Sequence, residues 1–228
     1  MNKRIFKHEN VDLGYEDLVA ETSSSGRKYA APNGVRYPSV TTVLSILNEE
    51  FIQRWRARVG EEEANKVSHR ASTRGTAVHD CIEKYLDNNE DYAKEYLPNI
   101  IDNFNAIKPV LDERIGTIYL QEAALYSEHL GLAGRVDCVG EFDGVLSIID
   151  FKTSKKIKKK EWITNYFIQE AAYAIMWEER TGTPIVNLVT IITVDNEAPQ
   201  VFVEHRDNWV PKLLETINEY KRRKIFRD

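Results

Sequence analysis

Residues 132–142 and 145–152 are two apolar runs separated only by Asp143-Gly144, and a third such run, residues 117–126, precedes them. Asp-Gly between two apolar runs specifies a tight hairpin, because the favoured turn needs positive φ at both central positions. Antiparallel strands are therefore written into the middle of the chain, and the rest must pack around them. Upstream the pattern is helical, with apolar positions at Val40, Val43, Leu44 and Leu47, then Val78, Ile82 and Tyr85, then Ile100, Phe104, Ile107 and Leu111. Pro98 and Pro109 break that segment into several helices. Downstream come a helix over 161–180, stopped near Gly182 and Pro184, two more strands at 185–194 and 200–205, and a closing helix. Helices, antiparallel strands, a crossover helix and further strands give a mixed α/β fold with a central mixed sheet flanked by helices. At 228 residues, a single domain is expected over 1–228: an irregular segment with short extended pieces to residue 38, a helical elaboration over 39–113, and a core over 114–228.

The strand runs also carry acids where a half-buried sheet usually carries none. Asp150-Phe151-Lys152 closes the run 145–152, and Asp137 lies in Gly134-Arg135-Val136-Asp137 on the run 132–142. Period-two geometry puts Asp150 and Lys152 on one face, with Asp137 able to reach the same point from the neighbouring strand. Two carboxylates and an ammonium would then converge, as metal-dependent phosphodiester cleavage requires: hard oxygen ligands for Mg²⁺ or Mn²⁺, and a cation beside the attacking water. Glu219-Tyr220-Lys221 has the same acid-x-Lys form but sits on a helical pattern, where residues two apart do not face each other, so it reads as solvated surface. Glu122, in the first run, needs a cation or metal nearby if buried. Gln169 and Tyr173, four apart, share a helix face, and Arg74-Gly75-Thr76-Ala77-Val78-His79 places one imidazole on a helix. Each of these alone reads more readily as ordinary packing or surface.

Composition narrows the setting. Forty-two per cent hydrophobic and 29% charged residues are ordinary for a globular chain. No apolar run reaches the roughly 20 residues a membrane helix needs, and the charged N-terminus does not read as a signal peptide, so a cytoplasmic location away from membranes is expected. Two isolated cysteines, Cys81 and Cys138, offer neither a disulfide framework nor a zinc or iron–sulfur site. A net charge of -5 counts against a polyanionic partner less than its sign suggests, because metal-ligating carboxylates contribute to it. The lysines at 155, 156, 158, 159 and 160 follow the acid-x-Lys strand directly. They read either as a solvated loop or as a contact to nucleic-acid backbone, and their position favours the second.

Taken in order, His79, Glu122, Gly134-Arg135-Val136-Asp137, Asp150-Phe151-Lys152 and Gln169-x-x-x-Tyr173 resemble the RecB-type branch of the PD-(D/E)xK nuclease superfamily. Tyr37-Pro38-Ser39-Val40-Thr41-Thr42 and the Arg74–His79 motif are similar, more narrowly, to phage-type exonucleases and the mitochondrial genome maintenance exonuclease family. The resemblance covers residues 37–173. It implies a restriction-endonuclease-like core in which Asp137, Asp150 and the Phe151 carbonyl bind one or two Mg²⁺ or Mn²⁺ ions, with His79 and Glu122 completing the coordination. It further implies that Lys152 orients or activates the water, and that Gln169 and Tyr173 support the site and contact DNA. Relatives that hold an iron–sulfur cluster use four cysteines, which this chain lacks.

The partner expected is DNA, in single-stranded form, entering from a free end past the helical segment. Thr76, Ser39, Thr41 and Lys155 are the expected contacts to it, hydroxyl and ammonium groups being suited to phosphate. Ser39 reads equally well as a helix cap, and Tyr37, Trp55 and Trp162 as packing residues or as base platforms. Two rivals stay open: a structure-selective endonuclease of the same chemistry, and a catalytically inactive fold that binds nucleic acid or protein.

Overall fold

A computed structural model describes residues 4–225. Its centre is a five-stranded sheet in the order β4-β5-β6-β7-β8, comprising β4 (Ile115–Ser127), β5 (Leu132–Phe142), β6 (Val145–Ser154), β7 (Asn187–Val194) and β8 (Gln200–His205). All pairings are antiparallel except β6 with β7, which is parallel. That change of direction needs a crossover, supplied by α5 (Thr164–Thr181). Asp143 and Gly144 both have positive φ, 52° and 78°, as the two-residue hairpin demands.

Helices cover both faces. On one, α1 (Val40–Leu44), α5 and α6 (Val210–Ile225) bury Val43, Ile168, Met176 and Leu213 against Val139, Ile148 and Leu188. On the other, α3 (Glu61–Leu86) and α4 (Pro98–Arg114) bury Ile82, Phe104 and Leu111 against Phe142, Ile149 and Val189. Alternation along the strands sends Ile148 to one core and Ile149 to the other, so both layers draw on the same eight-to-thirteen-residue strands. Between α1 and α3 runs α2 (Glu49–Val59), which buries no residue.

Two expectations need correction. The stretch 20–38 is not irregular: β1 (Ala20–Ser23), β2 (Gly26–Ala30) and β3 (Arg36–Pro38) pair as a small antiparallel sheet. Its extended pieces hold because Leu18, Tyr29, Ala31 and Tyr37 bury against Ala124, Tyr126 and Ala133 of the main sheet. Tyr37 is thereby a packing residue, stacked on Tyr126 at 5.9 Å. Pro109 does not break its helix, since α4 continues through it with Ile107 and Leu111 fully buried on either side. Packing of that face outweighs the one hydrogen bond the ring removes.

Candidate active site and metal centre

The site sits where two strands part. From Phe142 and Val145 the β5–β6 ladder runs to Cys138 and Ile149 and stops there. Beyond that point β5 stays with β4 down to Leu132, while β6 stays with β7 up to Ser154. Asp137 lies at the fork and uses its side chain in place of the missing ladder, its Oδ2 accepting the Phe151 N–H at 2.9 Å. Tyr173, buried on α5, closes against Gly134, where any Cβ would come within 2.8 Å of its ring. Glycine in that motif is thus a requirement of close packing with the helix that carries Gln169.

Around the fork the expected residues converge. Lys152 forms an ion pair with Asp150, and its ammonium stands 5.3 Å from the centre of the Tyr166 ring. The other Asp150 oxygen accepts from Gln169 Nε2 at 3.2 Å. Asp150 is 1% exposed. Its burial pushes the carboxyl above its ordinary range; Lys152 opposes that shift and Asp137 adds to it. Burial works against the Lys152 ammonium, but the Asp150 and Asp137 carboxylates overcome it and hold Lys152 charged.

On the open side His79, from α3, places Nδ1 at 3.5 Å from Asp137 Oδ2, and its ring meets Phe151 edge-on at 6.4 Å. Glu122 faces them from β4. One ligand atom each from His79, Glu122 and Asp137 lie within 4.8 Å of one another. Glu122 has a φ of 44°, a left-handed conformation uncommon for this residue type, and its carbonyl accepts from Arg135. Burial, then the Asp137 charge, push its carboxyl up to about 8. Two carboxylates and an imidazole held this close together fit a divalent cation, which offsets the repulsion between the carboxylates and suits an oxygen-rich set. Asp150 stands outside this trio, engaged by Lys152 and Gln169.

The trio opens into a cleft of about 990 Å³. Its walls include Thr76, Ser39, Thr41, Gln169 and Tyr173, all singled out from the sequence, together with Arg27, His69 and Ser72, which were not. Ser39 is buried and caps α1, its hydroxyl accepting the Thr42 N–H at 3.0 Å. Lys155 is exposed and does not line the cleft. A further group escaped notice: Glu170, fully buried, whose Oε1 accepts from Thr190, the residue paired with Asp150 on β7. Burial, reinforced by the Asp150 charge, holds Glu170 well above the carboxylate range. Its only trace in the sequence is an acid on the helix position next to Gln169, where the apolar pattern already breaks. Glu219, the control, pairs with Arg222 and Arg223 at the surface. Cys81 and Cys138 are separately buried and unpaired. Among the described residues no helix is long and apolar enough to cross a membrane.

Residues 51–226 match the PD-(D/E)XK nuclease superfamily. Mitochondrial genome maintenance exonuclease 1 from Xenopus tropicalis is 31% identical over 183 residues, which is 75% of this chain and 50% of the relative. The human protein of the same name is 30% identical over 131 residues, 53% of this chain and 38% of its own length. This chain therefore spans half or less of the length of these relatives. A solved structure of a candidate exonuclease from Eubacterium rectale aligns with a TM-score of 0.45 at 15% identity, over 66% of this chain and 65% of that one. With the family match running through most of its length and the ordered motifs gathered at one fork in the sheet, the chain belongs to the PD-(D/E)XK nuclease superfamily.

Proposed function

We propose that this protein is a Mg²⁺- or Mn²⁺-dependent deoxyribonuclease that removes nucleotides from single-stranded DNA ends, serving replication, recombination or repair, with the cytoplasm as its compartment. The observation that carries the reading is the gathering of His79, Glu122 and Asp137 on the wall of one open cleft, with the buried Asp150–Lys152 ion pair tied to that wall through Gln169.

In this reading Asp137, Asp150 and the Phe151 carbonyl hold one or two cations, with His79 and Glu122 completing the set. When bound, the metal supplies Lewis acidity toward phosphate and water. Lys152, kept charged by its acidic neighbours, orients the attacking water and offsets negative charge developing on the phosphate. Gln169 and the ion pair fix Asp150, so the carboxylate keeps its orientation while the strand moves. Thr76, Thr41 and Arg27 along the cleft would meet phosphate oxygens.

The test is digestion of single-stranded DNA labelled at either end, beside a circular strand and a duplex, with Mg²⁺, with Mn²⁺ and with EDTA. Metal-dependent loss of the linear strand with the circle spared is the expected result. Cleavage of the circle would make the protein an endonuclease, and binding without cleavage under either metal would make it an inactive member of its superfamily.

A further inference from the structure

Between β6 and α5 the chain passes through residues 155–163, and this stretch is held rather than slack. At its start the Ser154 hydroxyl donates to the Lys156 carbonyl at 2.6 Å and accepts the Lys156 N–H at 3.2 Å. In its middle Gln200, on β8, clamps Lys158 from both sides: the side-chain carbonyl accepts the Lys158 N–H at 2.7 Å, and the amide donates to the Lys158 carbonyl at 2.9 Å. At its end Ile163 is buried with Phe167, Ile192 and Val194. The backbone is fixed at three points, yet Lys155, Lys156 and Lys159 are exposed and Trp162 is 63% exposed.

The loop's charge is compensated only in part, by Glu161 within it and by one ion pair. Lys160 pairs with Glu204, but among the described residues no carboxylate pairs with Lys155, Lys156, Lys158 or Lys159. That is a local cationic excess on a chain whose formal net charge is -5. Lys159 Nζ stands 5.4 Å from the Trp162 ring centre. A water-facing indole bordered by free ammonium groups combines a surface on which a base stacks with cations that meet the flanking phosphates. The loop's position adds to this. It starts directly after the strand bearing Asp150 and Lys152 and ends in the helix bearing Gln169. Thr153, just before it, faces Gly75 of α3, a residue of the cleft wall.

We propose that Lys155, Lys156, Lys159 and Trp162 form a second nucleic-acid contact outside the cleft, which grips a single strand at a distance from the scissile phosphate. The proposal rests on the nuclease reading of the cleft, and it assigns the loop a role in holding long substrates. An oligonucleotide too short to leave the cleft does not touch it.

The experiment compares full-length wild type with Trp162→Ala, Trp162→Phe and the double variant Lys156→Gln/Lys159→Gln. Binding in EDTA and digestion with Mg²⁺ are measured on single strands of about 30 and about 5 nucleotides, one well above typical site sizes and one at their lower end. For the long strand, Trp162→Ala should weaken binding roughly tenfold and raise KM with kcat held, while Trp162→Phe keeps most of the affinity. Removing two ammonium groups should lower the slope of log affinity against log salt by about 1.4. The short strand should show no difference. Long-strand binding and KM equal to wild type would overturn the proposal, as would an equal loss on both lengths, which would mean that the loop merely supports the cleft. Loss of binding to anionic vesicles with DNA affinity intact would reassign the loop to a membrane surface. Wild type that fails to bind DNA at all would sink the nuclease reading along with the loop; loop variants that fail to differ would sink the loop alone.

Discussion

At the scale of single residues the site is a set of charges whose costs depend on one another. Lys152 and Asp150 share a buried ion pair, so removing either leaves the partner uncompensated in the fork. Lys152→Ala and Asp150→Asn should each lower kcat by at least about 100-fold in the metal-dependent digestion assay, with linear-strand binding retained. Glu122 gives a pH signature. Its carboxyl is raised from 4.5 to about 8 in the fold, so the folded protein holds a proton that the unfolded chain has released. Stability of the metal-free protein should therefore fall as pH rises from 4.5 to 8, the window bounded by the two values. Thermal unfolding in EDTA at a series of pH values measures this, and Glu122→Gln should flatten the profile across the window.

At the scale of elements the decisive contact is between α5 and β5. Tyr173 occupies the space a side chain at 134 would need, so Gly134→Ala forces ring and strand apart. Overpacking of this kind costs about 1–3 kcal/mol. The variant should melt several degrees below wild type and lose activity, because the displaced helix also carries Gln169. In a Tyr173→Ala background the same substitution should cost much less, and this double-mutant cycle distinguishes a local clash from a general effect of the added methyl. The crossover helix thus has two jobs that the sequence pattern shows separately: Ala171 and Met176 seal one core and Phe167 a smaller cluster with Ile192 and Val194, while Gln169 and Tyr173 face the fork.

For the molecule as a whole, a cation at the fork would couple binding to stability. The Glu122 and Asp137 carboxylates, with the His79 imidazole beside them, present ligand atoms within 4.8 Å of one another, a grouping that a cation among them would favour. Binding to the folded state alone stabilises it, by about 2.7 kcal/mol at a concentration 100 times Kd. Saturating Mg²⁺ or Mn²⁺ should accordingly raise the melting temperature by roughly 5–10 °C for a chain of this size. Asp137→Ala should abolish most of the shift, and calorimetric titration of the same pair gives the stoichiometry.

The sequence by itself determined the order and kind of most elements, because strand and helix periodicities and the Asp143-Gly144 turn are local: β5 and β8 begin and end where the pattern puts them. It also singled out the side chains proposed to carry the chemistry, since acids on apolar strands are costly unless paired. Only the tertiary structure decided where those side chains meet. The parting of β5 from β6 at Cys138 and Ile149 is set by what packs on either side, and no local pattern encodes it. The pairing of β1 to β3 came from burial of tyrosines against a sheet 90 residues further along the chain, and the continuity of α4 through Pro109 from the core it faces. Glu170 was hidden for the same reason, since an acid on a helix declares itself buried only once the neighbouring strand brings Thr190 against it.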